Sequence, residues 1–448
     1  MRLGTTVRAR QAPSDRLSRI MRISRRTFVQ TSAIAGAAVL ADNSVTAQGR
    51  GGGGGNPVPP SILALKQLPN PAPAISDEER RARIAKAQRL MTEQNIGAIV
   101  LEGGTSMSYF VGMRWGLSER PFLLVIPAKG DLSYISPAFE EQRAREVIKF
   151  SKDVRLWEED DDPLALVAGI LKDRGVSTAK VGVEERVRFF VAAALQKAAP
   201  ATEVVLATPV TAGCRMIKSP AEIACMQYAN DITLAAFKAG LATMREGMTQ
   251  GELGGNITAA YRQMGAAGAI AVSFGQYSAF PHGSIEPQRL KDGDIVQIDD
   301  GVSWEGYQSD ITRTTVFGKP TARQTEVWNL EKKAQAAAFA AARIGATCES
   351  VDAAARKVIT DAGFGPGYKV PGLPHRTGHG IGMDGHEWTN FVKGNKTKLE
   401  PGMCFSDEPM IAIYGEFGIR LEDCLYMTTA GPKFFTEPSP AIDQPFSS

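Results

Sequence analysis

Histidine is nearly absent from this chain, four residues in 448, and cysteine is almost as rare at five. Cys214, Cys225, Cys348, Cys404 and Cys424 are odd in number and scattered, which excludes a disulfide framework and points to buried thiols acting as small hydrophobes. Cys404 and Cys424 leave room for one bridge if they fall on neighbouring strands. No basic stripe is present, so a nucleic-acid partner is not expected. The net charge of +3 hides an uneven distribution: residues 1–47 hold eight Arg, no Lys and two acids, leaving 43 basic and 46 acidic groups in the rest. Without that segment the protein is mildly acidic. Its hydrophobic content of 43 % is ample for the cores of two domains at this length.

The basic start reads as an address. Ser24-Arg25-Arg26-Thr27-Phe28-Val29-Gln30 precedes an apolar run over 32–41, and Val45-Thr46-Ala47 offers a small-residue cleavage site. The order resembles a twin-arginine signal over 1–47, with the twin-arginine export machinery as partner and a periplasmic or extracellular destination. Met21 is an alternative start. The apolar run is too short to span a bilayer, where about 20 residues are needed. Because such substrates cross already folded, a weakly held metal such as manganese can be loaded inside, ahead of competing copper or zinc. Residues 48–75 follow as a linker, a Gly-run and then Pro57-Val58-Pro59-Pro60, flexible and then stiff.

Ser76 and Glu79 form a capping-box pattern that opens a helix to about Gln94. Ala98–Leu101 reads as a buried strand, and 122–126 with 132–135 as a hairpin around Lys129-Gly130-Asp131. Helical patterns at about 138–149, 163–174 and 185–199 alternate with strand-like runs at 181–183 and 204–206. Alternation of this kind predicts an α/β domain over 76–213. Ser219-Pro220-Ala221-Glu222 is a second capping box, opening a helix over about 220–246 whose Leu234, Phe237, Leu241 and Met244 keep the helical period. Further helices are expected at about 250–265, 321–344 and 349–362, and strands at 295–299, 312–317, 403–413 and 424–428. Helices and strands segregate here, which predicts an α+β domain over 214–436 and a short tail at 437–448.

Chemistry gathers in this second half. His375, His379 and His386 all lie between positions 375 and 386, with Gly378 and Gly380 flanking His379. Glycines there let the backbone approach a bound ion or ligand, and imidazole is a common metal ligand. Asp299, Asp310, Glu408 and Glu422 are isolated acids in strand-like surroundings, where a carboxylate is costly unless paired or metal-bound. Four carboxylates and one imidazole suit two divalent ions sharing bridging oxygens.

Taken in order, Asp-x-Gly at Asp299, Ser-Asp-Ile-Thr-Arg-Thr at Asp310, Gly-His-Gly-Ile-Gly at His379, Glu-Pro at Glu408 and Arg-x-Glu-Asp at Glu422 resemble metallopeptidase family M24. This is the group of aminopeptidase P, prolidase and methionine aminopeptidase with the pita-bread fold. The likeness covers about 215–430, and the first half resembles the creatinase/prolidase N-terminal domain. The resemblance implies that Asp299 chelates one ion, that Asp310 and Glu422 bridge, and that His379 and Glu408 complete the other. It implies two divalent metal ions, manganese first, with cobalt, zinc or iron(II) as alternatives, holding a hydroxide between them. Glu408 would be the proton acceptor, and His282 and His386 donors to the oxyanion or leaving nitrogen. His375 would be a further substrate contact, and Arg420 a support for the bridging Glu422. The implied reaction is hydrolysis of the N-terminal Xaa-Pro bond of short peptides, by a homodimer or higher homo-oligomer.

The chain also departs from the family. His386-Glu387-Trp388-Thr389 stands where His-Glu-x-Pro is usual, leaving Trp388 either to narrow a pocket or to pack. Asp407 replaces an apolar residue, and strand alternation turns it to the face opposite Glu408. Asp300 beside Asp299 raises the same question of an additional ligand. A small-amide hydrolase or lyase on the same fold remains an alternative. A non-catalytic binding protein is the other class, against which the complete ligand set argues.

Overall fold

The computed structural model describes residues 57–447; the expected twin-arginine segment and the Gly-run lie outside them. Helix α1 (Asp77–Glu93) begins at Ser76, whose hydroxyl accepts from the Glu79 amide, and three acids occupy its first turn at the positive end of the helix dipole. The expected capping box is only half formed. Glu79 turns outward instead, accepting from Ser219 Oγ at 2.6 Å and from Arg83 at 2.8 Å, and so ties α1 to the start of the second half.

Strand β1 (Ile96–Glu102) is buried along its whole length, as its apolar run predicts. It sits inside a six-stranded sheet with β2 (Leu123–Pro127), β3 (Ser133–Pro137), β4 (Val154–Trp157), β5 (Lys180–Val183) and β6 (Glu203–Leu206). The order is β4-β3-β2-β1-β5-β6. β2 and β3 form the expected hairpin, and β1 pairs with β5 in parallel. Helices α2 (Thr105–Val111), α3 (Glu141–Val147), α4 (Pro163–Asp173), α5 (Phe189–Ala198) and α6 (Thr208–Arg215) complete this half. The last expected helix starts late, at 189, because 184–188 form a turn. α2, β4 and α6 escape a sequence reading because each is shorter than the roughly 11–18-residue window in which a period stands out.

In the second half, Ser219 and Glu222 close a full capping box on α7 (Pro220–Leu241), which stops five residues before its expected end. α8 (Gln250–Gln263), α9 (Ala322–Ala341) and α10 (Cys348–Asp361) follow the predicted pattern to within a few residues. β7 (Ala271–Phe274), β8 (Ile295–Asp299) and β9 (Arg313–Val316) form one antiparallel sheet in the order β9-β8-β7. β10 (Gly378–Gly380), β11 (Glu387–Phe391), β12 (Cys404–Asp407), β15 (Asp423–Thr428) and β16 (Gly431–Phe434) form a second, in the order β11-β10-β12-β15-β16. Between them run β13 (Met410–Ile413) and β14 (Phe417–Arg420), which pair with each other, while Ala412 of β13 also bridges to Gly372.

The single strand expected over 403–413 is therefore two. Pro409 lacks an amide to continue the ladder, and the chain changes sheets at Glu408-Pro409. β12 and β15 are neighbours, but Cys404 faces Tyr426 and Cys424 faces Ser406, so both thiols are free and buried and no bridge forms. Among the described residues no helix is long and apolar enough to cross a membrane.

Candidate active site

The three-stranded and five-stranded sheets of the second half are bridged at Thr312 and Glu422. Thr312 and Glu422 exchange backbone hydrogen bonds of 3.3 and 3.2 Å, an isolated antiparallel bridge joining the approach to β9 with the approach to β15. Asp299 closes β8 beside it, and Asp310 lies two residues before Thr312. Glu408 arrives from the break between β12 and β13, its amide donating to Thr377 O at 2.9 Å. His379 arrives on β10. All five expected ligand residues thus line one cavity of about 710 Å³, together with His282, His375, His386 and Arg420.

Ligand atoms of Asp299, Asp310 and Glu422 lie within 4.8 Å of one another, as do those of His379, Glu408 and Glu422. Glu422 is common to both groups, as a bridging ligand must be. A third group joins Asp310 and His379 to His386, which the sequence does not mark as a ligand. The tautomer of His379 suits ligation. Its Nδ1 faces Gly380 O at 3.1 Å, which accepts, so the proton sits on Nδ1. The lone pair of Nε2 then faces Glu408 Oε1 at 3.3 Å and Asp310 Oδ2 at 3.7 Å.

Gathering these acids is electrostatically costly. Burial, followed by the nearby Asp299, pushes the Asp310 carboxyl well above its ordinary range. Burial and then Asp310 do the same to Glu422, whose Oε1 is buried with no partner. Burial raises Glu408 to about 7 even though Arg420 opposes it. Divalent cations are what this donor set lacks: oxygen-rich, one imidazole, an orphaned buried carboxylate oxygen and mutual repulsion. The residues fit two such ions.

Several placements differ from expectation. Arg420 pairs directly with Asp299, and reaches Glu422 only through Thr312, whose Oγ1 accepts from Arg420 Nε at 3.1 Å. The Thr312 hydroxyl sits between Asp299 Oδ1 and Glu422 Oε2, the latter at 2.7 Å. Sequence reasoning misses Thr312 as a site residue, although it stands in the same Ser-Asp-Ile-Thr segment that marks Asp310. Gly378 and Gly380 do not clear space for an ion. A Cβ on Gly378 would meet Ser406 O at 2.1 Å and one on Gly380 would meet Glu387 O at 2.8 Å, so these glycines serve the close approach of neighbouring strands. Asp300 lines the cavity at φ +102° but belongs to none of the ligand groups, its carboxyl raised by burial and Asp299 to about 6.

The remaining histidines are held in defined states. His386 stacks on His379 with ring centroids 3.8 Å apart. Arg376 Nη2 lies 2.7 Å from His386 Nδ1, and since a guanidinium only donates, the neutral ring carries its proton on Nε2. Burial, then Arg376, keeps the His386 pKa below its ordinary value. His375 has the opposite tautomer: Nδ1 donates to Arg376 O at 2.7 Å, and Nε2 is buried without a partner. Burial and Arg420 lower its pKa to about 4. His282 stands exposed on the cavity wall. Arg376 is likewise invisible to sequence reasoning, because an arginine beside a histidine cluster carries no signal of its own.

Trp388 neither packs into the core nor enters the metal cavity. It is half exposed, and its indole N–H donates to Glu185 of the first half at 2.9 Å.

Residues 224–429 match metallopeptidase family M24, and residues 83–217 match the creatinase/prolidase N-terminal domain. An uncharacterized peptidase of Schizosaccharomyces pombe is 36 % identical over 387 residues, covering 82 % of this chain and 83 % of its own length. The Xaa-Pro dipeptidase of Lactobacillus helveticus is 32 % identical over 362 residues, covering 78 % of this chain and 95 % of its own. The solved structure of dipeptidase PepE from Mycobacterium ulcerans is similar at TM-score 0.75 and 32 % identity, covering 82 % of this chain and 97 % of that one. The chain belongs to metallopeptidase family M24, hydrolases that take divalent metal ions, and joins a creatinase/prolidase N-terminal domain to a pita-bread catalytic domain.

Proposed function

We propose that this protein hydrolyses the N-terminal Xaa-Pro bond of short peptides, using two divalent ions held by Asp299, Asp310, His379, Glu408 and Glu422. The observation that carries the reading is the overlap of two ligand groups at Glu422, with His379 in the ligating tautomer. When bound, such a pair acidifies a water molecule and polarises the scissile carbonyl. Manganese suits an oxygen-rich set with one imidazole. The names of two relatives, an Xaa-Pro dipeptidase and a dipeptidase, support a peptide substrate of this class.

The chain's own residues supply the rest. Glu408 takes the proton of the attacking water, its Oε1 standing 3.3 Å from His379 Nε2 within the ligand group. His386 presents an Nε2–H toward the cavity and donates to the developing oxyanion or to the leaving prolyl nitrogen. His375 presents an unpartnered lone pair at Nε2 and accepts from an N–H of the substrate. His282 meets the substrate at the mouth. Arg420 and Thr312 hold Asp299 and Glu422 in place. The segment over 1–47 supports export by the twin-arginine route to the periplasm or beyond, and the family resemblance a homodimer.

Mature protein from residue 48, reconstituted with manganese, tests the reading against Xaa-Pro dipeptides, Xaa-Pro-Yaa tripeptides and Xaa-Ala controls. Cleavage confined to prolyl peptides, lost in a folded Glu408→Ala variant, is the expected result. Two ions per chain with no cleavage across the panel would leave the fold standing and overturn the substrate, favouring a small-amide hydrolase or lyase.

A further inference from the structure

We propose that Trp388 and Glu185 are positioning residues, a pair through which the first half of the chain fixes where the His386 imidazole points. The proposal rests on the peptidase reading above only where turnover is measured.

The ladder between β10 and β11 leaves His386 without support. Gly380 stands opposite Glu387, and His379 stands opposite Asn390. One step along β10 is therefore matched by three along β11, and Trp388 and Thr389 have no partner residue on β10. A bulge of this kind re-aims side chains and interrupts the pairing that would otherwise fix them. His386 lies just before it and is exposed. Its ring is held by the stack on His379 and by the single bond from Arg376.

The first half supplies what the ladder omits. Before His386, Asp384 accepts from Thr105 Oγ1 at 2.7 Å and pairs with Arg186 at 2.9 Å and Arg215 at 2.6 Å. After it, Glu387 is gripped by Arg215, and the Trp388 indole N–H donates to Glu185 Oε1 at 2.9 Å. Glu185 is itself fixed. Its Oε2 accepts from Thr208 Oγ1 at 2.7 Å, at the start of α6, the helix that ends in Arg215. Asp384, Glu387 and Trp388 are thus all tied to the first half, while His386 between them lines the metal cavity.

These ties differ in what they cost to cut. Asp384 and Glu387 share the buried Arg215, so losing either disturbs the join between the halves. The Trp388–Glu185 bond lies instead on the wall of a cavity of about 300 Å³, and Trp388 is 50 % exposed. A bond so placed adds little to folding. It does anchor the bulge, beside the one catalytic side chain that the ladder leaves free. Displacing a reacting group by about 1 Å can cost about 100-fold in rate, so a tie that is weak for folding can be strong for turnover.

Trp388→Phe keeps a ring and removes the donor; Glu185→Ala removes the acceptor. Protein from residue 48, loaded with manganese, is assayed on the prolyl peptide that wild type cleaves best. Each variant should lose about 10-fold in kcat, with KM, bound manganese and melting temperature near wild type. The double variant should fall no further than either single one, because both remove the same bond. Glu185→Gln keeps an acceptor oxygen and should recover most of the loss. Labelling histidine with carbon-13 at Cε1 gives one ring signal for each of the four histidines, and needs no turnover. In zinc-loaded protein, Trp388→Phe should move the His386 signal and leave those of His282 and His375 in place. Full kcat in both single variants, losses that add in the double variant, or a change confined to KM would overturn the proposal. Wild type cleaving no prolyl peptide would instead remove the peptidase reading. The ring signal then decides alone, and a His386 signal that stays put overturns the positioning role.

Discussion

Arg313 Nη2 donates to Asp423 Oδ1 at 2.7 Å, and neither side chain reaches solvent. Each sits one residue beyond a partner of the Thr312–Glu422 bridge, so the ion pair backs the site it does not touch. Arg313 also donates to Glu422 O at 3.0 Å, while Asp423 accepts from Thr436 Oγ1 at 2.6 Å and Gln335 Nε2 at 3.1 Å. Only Arg313 Nε of the pair is buried without a partner, and such a buried pair tolerates replacement as a unit better than loss of one member. Arg313→Met should cost about 3–5 kcal/mol, because Asp423 is left charged and unpaired. An Arg313→Met/Asp423→Leu double variant should recover most of the loss. Urea melts of the two settle the point, since equal destabilisation would remove the argument.

Removing the metal ions should make stability depend on pH in a direction opposite to ordinary acid denaturation. In the ion-free site Asp310 and Glu422 are pushed well up and Glu408 to about 7, each first by burial. A carboxyl whose folded pKa lies above its unfolded one holds the extra proton in the folded state. Its contribution is present below the unfolded value of about 4 and is lost as pH rises towards the folded value. Chelated protein should therefore melt at lower temperature at pH 8 than at pH 5.5, and adding manganese should abolish the difference. A flat profile in chelator would show that these acids do not repel one another as described.

Much of this site is legible in the amino-acid sequence. Isolated acids in apolar strands are expensive, so Asp299, Asp310, Glu408 and Glu422 announce themselves, and His379 does so by its crowded neighbourhood. Strand alternation also places Asp407 correctly: it lies outside the cavity, buried beside Asp423, and both its oxygens lack partners. The two-part fold follows from an alternating first half and a segregated second. Roles that depend on three-dimensional partners are not legible. Thr312 matters because it bridges to residue 422, Gly378 because Ser406 O passes 2.1 Å from where its Cβ would be, and Glu79 because Ser219 draws it from its own cap. Strand β10, three residues with two glycines, has no propensity to read.

His386→Asn should separate binding from chemistry. Its Nε2–H faces the cavity only because Arg376 occupies Nδ1, and asparagine cannot reproduce both the stacking on His379 and that donor. If the donor acts on charge that develops during reaction, kcat should fall by about 10²–10³ while KM moves little. Bound manganese, counted by elemental analysis, should stay near the wild-type value. A large drop in metal content instead would make His386 a ligand, as its grouping with Asp310 and His379 allows.

Glu387 gives the acid side of the stability profile. Its side chain is 5 % exposed and is gripped by Arg215, by Lys218 Nζ at 3.1 Å and by the Asp384 amide at 3.0 Å. Burial pushes its pKa up, but Lys218 and Arg215 overcome burial and hold it at about 2. A carboxylate depressed on folding contributes stability above its unfolded pKa, near 4, and loses it as pH falls towards the folded value. A shift of this size corresponds to about 3 kcal/mol released between roughly pH 4.5 and 2. Glu387→Gln should be less stable at neutral pH, because two buried cations lose their partner, yet should depend less steeply on pH through that window. Urea midpoints at pH 5, 4 and 3 for both proteins give the slopes, and parallel slopes would show that Glu387 is not the group responsible. Arg215 belongs to α6 of the first half and Glu387 follows His386, so the same acid step should loosen the contact between the two halves and the placement of that histidine together.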